Sequence, residues 1–337
     1  MIGYIVRRML LVPLLLVGIA SLAFVVSRTI PADPLATLVS ERQLDNPEVV
    51  RAAEARWGLD KSLPEQYGLY LRNLATGDMG TSFRTKQPVA DDLLDRLPAT
   101  LELTMAALTI GTVTGVTLGV IAARRRNTKI DSLSRLFALI GSSLPVFWAG
   151  AILLFVLWAQ LGIAPSPGRL DSRVAEPVHY TGFYTVDTLI AGDLTRFWDA
   201  VSHLILPGAV LGWVLMGTIT RLVRASMLDV LDQDYIRTAR AAGIPERLVM
   251  RRYALRNAML PTLTIVGLAF AVLITGAVLV EIVFTWPGIG TYAVESSRNL
   301  DIPGVMGVSI LGGFIFLMAN LVTDLLYAFV DPRIRLG

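Results

Sequence analysis

Six stretches of this chain contain no charged residue and are each close to the length that crosses a bilayer. They run from Met9 to Ser27, Leu103 to Ala123, Leu136 to Ala164, Leu204 to Thr220, Asn257 to Val280 and Ile302 to Thr323. A helix of about 20 apolar residues spans the hydrocarbon, and the shorter runs reach that length with their flanks. Backbone polar groups in lipid must be satisfied within the segment, so the runs are expected to be helices. The expected fold is an all-α polytopic membrane protein with six transmembrane helices. The third run has 29 residues and has to tilt or bend, and Pro145 is the expected place. Arg7 and Arg8 precede the first run as they would in a signal peptide. Its 19 apolar residues exceed the roughly 7–15 of a signal core, so it is read as a span.

Lys and Arg near span ends set the direction. Seventeen of the thirty lie in one set of segments. These are Arg7 and Arg8; Arg124, Arg125, Arg126, Lys129 and Arg135; eight Arg between 221 and 256; and Arg333 with Arg335. That set is expected to be cytoplasmic, with both termini inside. The long segment from Arg28 to Leu97 then lies outside. It is expected to hold a helix from Pro47 to Trp57, capped by Asn46, and another from Pro64 to Ala75, capped by Ser62 or Leu63 and stopped at Gly77. The segment from Gly162 to Ser202 is loop-rich. The capped helices with Trp57, Tyr67 and Tyr70 suggest either an ordered outer subdomain that helps receive a partner or its cargo, or a passive lid held by its own small core.

Several chemistries are excluded or weakly supported. Without cysteine there is no disulfide, thiol catalysis or thiolate metal site. A net charge of +3 with no aromatic-basic interleaving gives no case for nucleic acid. His179 and His203 are the only histidines, and neither has a second ligand at helical or hairpin spacing, so no metal site is expected. No Gly-Lys dipeptide exists, so a phosphate-cradling loop is missing and any ATP must bind another chain. The DDLLD run from Asp91 to Asp95 resembles a magnesium-diphosphate motif, but no second aspartate-rich run faces it. It is read as the solvated face of a short amphipathic helix. Gly111, Gly115 and Gly119 form a stripe for close helix packing. Asn320 and Asp324 stand one turn apart near the cytoplasmic end of the sixth span, as a structural or gating polar pair. Glu281 closes the fifth span and is expected at the outer interface.

The segment DYIRTARAAGIPERLVMRRYALRNAMLP, Asp234 to Pro261, is a long charged stretch between two apolar segments, with five arginines from Arg237 to Arg252 and a sixth at Arg256. Asp234 suits a helix N-terminus. Tyr235, Thr238, Ala239 and Ala242 then fall on one face. Gly243 can end the helix with a positive φ, and Pro245 can start the next. The alternative is an amphipathic helix lying on lipid. An alanine-rich face binds lipid poorly and suits a groove in another protein.

The acidic-Tyr pair, Ala239, Gly243 and Leu260-Pro261 resemble the EAA loop of ABC importer permeases. Asp234 stands where Glu is usual, and Ala241-Ala242 where many relatives have Ala-Lys. Further segments resemble the first membrane subunit of the dipeptide, oligopeptide and nickel class. They are GDMGTSFRTKQPVADDLLDRLPATLEL (77–103), GSSLPVFWAG (141–150), HLILPG (203–208), FTWPGIGTYAVESSRNLDIP (284–303) and NLVTDLLYAFVDPRIR (320–335). The resemblance implies an N-terminal span (1–30), an extracytoplasmic helical insert (31–97) and a permease core (98–337) with a cytoplasmic coupling loop (224–256).

It also implies a prokaryotic cytoplasmic-membrane subunit that moves peptides by alternating access. The partners implied are a second homologous permease, cytoplasmic ATPase subunits holding ATP and magnesium, an extracytoplasmic binding protein and membrane lipid. The chain itself would hold no cofactor and catalyse nothing. Asp234, Tyr235, Thr238, Ala239, Ala242 and Gly243 would couple it to the ATPase. Other cargo readings are nickel chelates, sugars or haem-like ligands. A membrane-embedded enzyme would need convergent polar groups within the spans, and a secondary carrier repeated halves and buried acids; neither pattern is visible.

Overall fold

The computed structural model describes residues 2–29, 47–48 and 61–330, without the side chains at 2–8, 260, 264, 275 and 324–330. In chain order its helices are α1 (Ile2–Thr29), α2 (Leu63–Ala75), α3 (Val89–Arg124), α4 (Lys129–Ser143), α5 (Val146–Leu154), α6 (Tyr184–Ile190), α7 (Leu194–Leu231), α8 (Asp234–Ala241), α9 (Leu260–Val283), α10 (Ile289–Arg298) and α11 (Ile302–Val330). A helical segment with wide turns, Glu246–Ala258, joins α8 to α9. Among the described residues there is no sheet, only an isolated bridge between Thr81 and Pro88.

α1, α3, α7 and α11 each carry a stretch long and apolar enough to cross a membrane. Two bent pairs bring the number to six: α4 with α5 and its continuation to Gln160, and Glu246–Ala258 with α9. The protein is an all-α polytopic membrane protein. The first pair turns through 106°, at the expected proline. Leu144 is extended, at φ −86° and ψ 141°, because the Pro145 ring disfavours helical geometry in the residue before it. The helices outrun their apolar runs. α3 begins at Val89 rather than Leu103, so Asp91 to Asp95 is not a short separate helix but the opening of a 36-residue one.

The described residues fall into two compact units, one within Met1–Leu97 and Gly288–Met318, the other within Pro98–Pro287 and Ala319–Gly337. In the first unit, α2 is capped by Ser62, whose backbone N–H donates to the Glu65 carboxylate at 3.0 Å, and is followed by Gly77 at φ +83°. The Tyr67 and Tyr70 rings of α2 lie 5.3 and 5.8 Å from that of Phe24 on α1. The helix expected from Pro47 to Trp57 lies outside the described residues apart from Pro47 and Glu48. A small core joins Val89, Leu93, Ile289 and Tyr292. Asp301, fully buried, accepts from the Ser82 hydroxyl at 2.6 Å and the Phe83 N–H at 2.8 Å, fastening the 78–88 loop to the corner between α10 and α11. Burial pushes the Tyr292 phenol up to about 12.

In the second unit α3 runs against α7 along the glycine stripe. A Cβ on Gly111 would stand 2.6 Å from the Gly212 carbonyl oxygen, and one on Gly212 would stand 2.6 Å from that of Ala107. Gly115 faces Ile219 and Gly119 faces Val223 at similarly short range. The stripe therefore brings two backbones together, a geometry only small residues permit. Glu281 is fully buried within the protein, and Thr100 Oγ1 donates to it at 2.6 Å. A carboxylate at that depth needs polar partners more than it needs proximity to water.

Candidate functional site

α8 is a two-turn helix that follows α7 after the short link Asp232–Gln233. Its end is a Schellman cap: Gly243 N–H donates to Arg240 O at 3.0 Å and Ile244 N–H to Ala239 O at 3.2 Å, with Gly243 at φ +76°. A Cβ at Gly243 would meet nothing within 4 Å, so only the backbone angle demands glycine. Gly243→Val is therefore expected to cost about 1–3 kcal/mol through strain, and Gly243→Asn much less, because Asn tolerates this region. Hydrogen exchange of the Ile244 and Gly243 amides checks this: faster in the valine variant, near-native in the asparagine variant.

Six residues expected to carry coupling, Asp234, Tyr235, Thr238, Ala239, Ala242 and Gly243, all lie on α8 or its cap. They do not share one outward face. Tyr235, Thr238 and Ala242 are exposed, whereas Ala239 is 6% exposed and points into the chain's own core. The reason is Ile236, fully buried and one turn before Ala239 on the same stripe. Burying an isoleucine is worth more than burying a tyrosine's edge, so the helix rotates Ile236 inward and takes Ala239 with it. Val249 and Ala254 of the following segment, both fully buried, belong to the same core. Tyr235 is held from below, its hydroxyl accepting from Asn257 Nδ2 at 3.0 Å. Arg240 and Glu246 form a forked pair across the turn at 2.8 and 3.1 Å. It is exposed and adds little stability.

The lower end of α7 is set by a pair not anticipated above. Asp131 on α4, fully buried, accepts from Arg224 Nε at 2.7 Å and Nη2 at 2.8 Å, and from the Asn127 N–H at 3.0 Å. One carboxylate thus fixes the turn after α3, the start of α4 and the stem of α7 that carries α8. Its signal was present: Asp131 is the only acid among Arg124, Arg125, Arg126, Lys129 and Arg135. Asn320 and Asp324 lie one turn apart on α11, with Asn320 half-buried and the Asp324 side chain outside the described residues. Among the described residues no three His, Cys, Asp or Glu gather to hold a metal ion. His203 is buried, its Nδ1 2.9 Å from the Asp199 carbonyl oxygen.

The family model for the binding-protein-dependent transport system inner membrane component matches residues 115–336, and the model for its N-terminal part matches 1–104. The chain belongs to this family. Among curated relatives, the probable D,D-dipeptide transport system permease protein DdpB of Escherichia coli K12 is 42% identical, aligned over 96% of this chain and 95% of that one. The dipeptide transport system permease protein DppB of Alkalihalophilus pseudofirmus is 40% identical over 99% and 100%. The oligopeptide transport system permease protein AppB of Bacillus subtilis is 38% identical over 99% and 100%.

As a member, this permease is the membrane-spanning subunit of an ABC importer and not itself an enzyme. A permease of a binding-protein-dependent system works with a binding protein and an ATPase.

Proposed function

We propose that this permease imports di- or oligopeptides across a prokaryotic cytoplasmic membrane, with both its termini in the cytoplasm. The observation that carries the cargo is the end-to-end similarity to relatives whose names specify dipeptides and oligopeptides. Its second membrane half is a homologous permease. ATP and magnesium are held by ATPase subunits beneath, and the 31–97 insert faces the binding protein.

In this reading α8 is the coupling helix. Tyr235, Thr238 and Ala242 enter a cleft on the ATPase, while Ile236 and Ala239 hold the helix to the permease. Closure of the ATPase dimer moves α8, and the stem fixed by Arg224 and Asp131 carries that displacement into α7. The small Thr238 and Ala242 side chains permit close approach, and Tyr235 supplies an anchor oriented by Asn257.

Cross-linking tests it. The chain has no cysteine, so a single Thr238→Cys is the only thiol it presents. In the assembled transporter it is expected to cross-link to the ATPase with a short bifunctional reagent, and the yield should change between nucleotide-free and ATP-trapped states. Labelling of Thr238→Cys by a water-soluble maleimide at the same rate with and without the ATPase subunits would show the face uncovered and remove α8 from the coupling role.

A further inference from the structure

The connection between α5 and α7 is fastened by charges buried beneath it. Arg169 and Glu102 are each 6% exposed, and Arg169 Nη2 donates to Glu102 Oε2 at 2.7 Å. The same nitrogen donates to the Gly182 carbonyl oxygen at 2.9 Å. The guanidinium lies 3.6 Å from the centre of the Tyr184 ring. Glu102 Oε1 accepts from the backbone N–H and the hydroxyl of Thr185, at 2.9 and 2.6 Å. One carboxylate on α3 therefore holds both the outgoing and the returning arm of the connection.

Two more ties reach the neighbouring helices. The Asp171 N–H donates to Asp199 Oδ2 on α7 at 2.9 Å, and the Gly168 N–H to Phe284 O, just past the end of α9, at 2.9 Å. Within the connection, Asp187 is fully buried. Burial opposes its charge, but donors from Thr181 and Gly182 hold its carboxyl below the usual range. A buried ion pair is generally no more stabilising than an apolar pair of equal size. What it adds is direction, because the planar Nη2 group donates to Glu102 and to Gly182 while the guanidinium face lies on the Tyr184 ring, so the acceptors and the ring together fix its orientation.

We propose that Arg169 is a positioning residue which, through Glu102, locks the 162–193 connection to the outer ends of α3, α7 and α9, so that they move as one body when the transporter changes access. Only the nucleotide and uptake arms of the test rest on the importer reading. The absence of cysteine lets nitroxides be placed at Tyr180→Cys and Trp198→Cys, both exposed. Double electron–electron resonance is then measured on the assembled transporter, nucleotide-free and vanadate-trapped. The expected result is one narrow distance, the same in both states. A broad distribution, or a distance that shifts on trapping, overturns the proposal.

The second arm replaces the pair by apolar side chains, Arg169→Met with Glu102→Leu. The complex is expected to assemble at near-native yield, since no charge is left unpaired. The distance distribution should widen at least two-fold, and uptake should fall several-fold. Native width with native uptake would reduce the pair to ordinary packing and overturn the proposal. If this variant does not assemble, Arg169→Lys keeps the charge without the planar guanidinium and should widen the distribution; native width there has the same adverse meaning. The width does not depend on the cargo, so a failure of peptide uptake in the parent protein leaves this result readable.

Discussion

Arg224→Met is expected to destabilise the assembled permease by about 3–5 kcal/mol. The change leaves Asp131 fully buried, without the two donors that approach it at 2.7 and 2.8 Å. The Asn127 N–H and Arg135, 3.3 Å away and half in solvent, remain and cannot replace a forked partner. The loss should appear as a lower thermal midpoint and a smaller folded fraction in detergent. Arg224→Met combined with Asp131→Leu should recover most of it, because the penalty belongs to the unpaired charge rather than to the lost attraction. A single variant as stable as the parent would mean that Asp131 is reached by water, against the burial on which the argument depends.

The second large effect is at the contact of α3 with α7. Gly212→Leu places a Cβ 2.6 Å from the Ala107 carbonyl oxygen, a backbone atom that cannot swing aside. The helices have to separate along the whole stripe, also loosening Gly115 against Ile219 and Gly119 against Val223. Overpacking of this kind costs about 1–3 kcal/mol, and the loss of neighbouring contacts adds to it. Gly276→Leu on α9 is the matched control, since a Cβ there meets nothing within 4 Å. The control should keep its midpoint while the 212 variant drops, both measured by thermal aggregation of the purified protein. Equal midpoints would show that the stripe is not a packing surface.

How far the sequence foretold this depends on how local each feature is. The apolar runs are local, and all six correspond to helices or bent helix pairs in the structure. Pro145 announced the bend because its ring acts on its immediate neighbour. Gly243 announced the end of α8 for the same kind of reason. Helix ends were read too short, since α3 begins with polar turns that carry Leu93 into a separate small core. The rotation of α8 was half readable. Periodicity placed Tyr235, Thr238 and Ala239 close together on the helical wheel, but the inward direction depended on Ile236 and on Val249 and Ala254, later in the chain. The ion pairs were unreadable as pairs. Asp131 and Arg224 are 93 residues apart and Glu102 and Arg169 are 67 apart, so no spacing rule links them.

The inward turn of Ala239 changes what its substitution does. Ala239→Trp is expected to disturb the permease's own core, lowering stability together with transport. Thr238→Trp, on the exposed side, is expected to spare the fold. That contrast gives the central claim its most direct measurement: ATP-driven uptake of a labelled dipeptide into proteoliposomes holding the complete transporter and its binding protein. The parent should accumulate peptide only with ATP and the binding protein both present. Thr238→Trp should lose at least ten-fold in uptake while keeping the parent's thermal midpoint. Uptake by the parent without ATP, or full uptake by a correctly assembled Thr238→Trp complex, would contradict an importer driven through this helix.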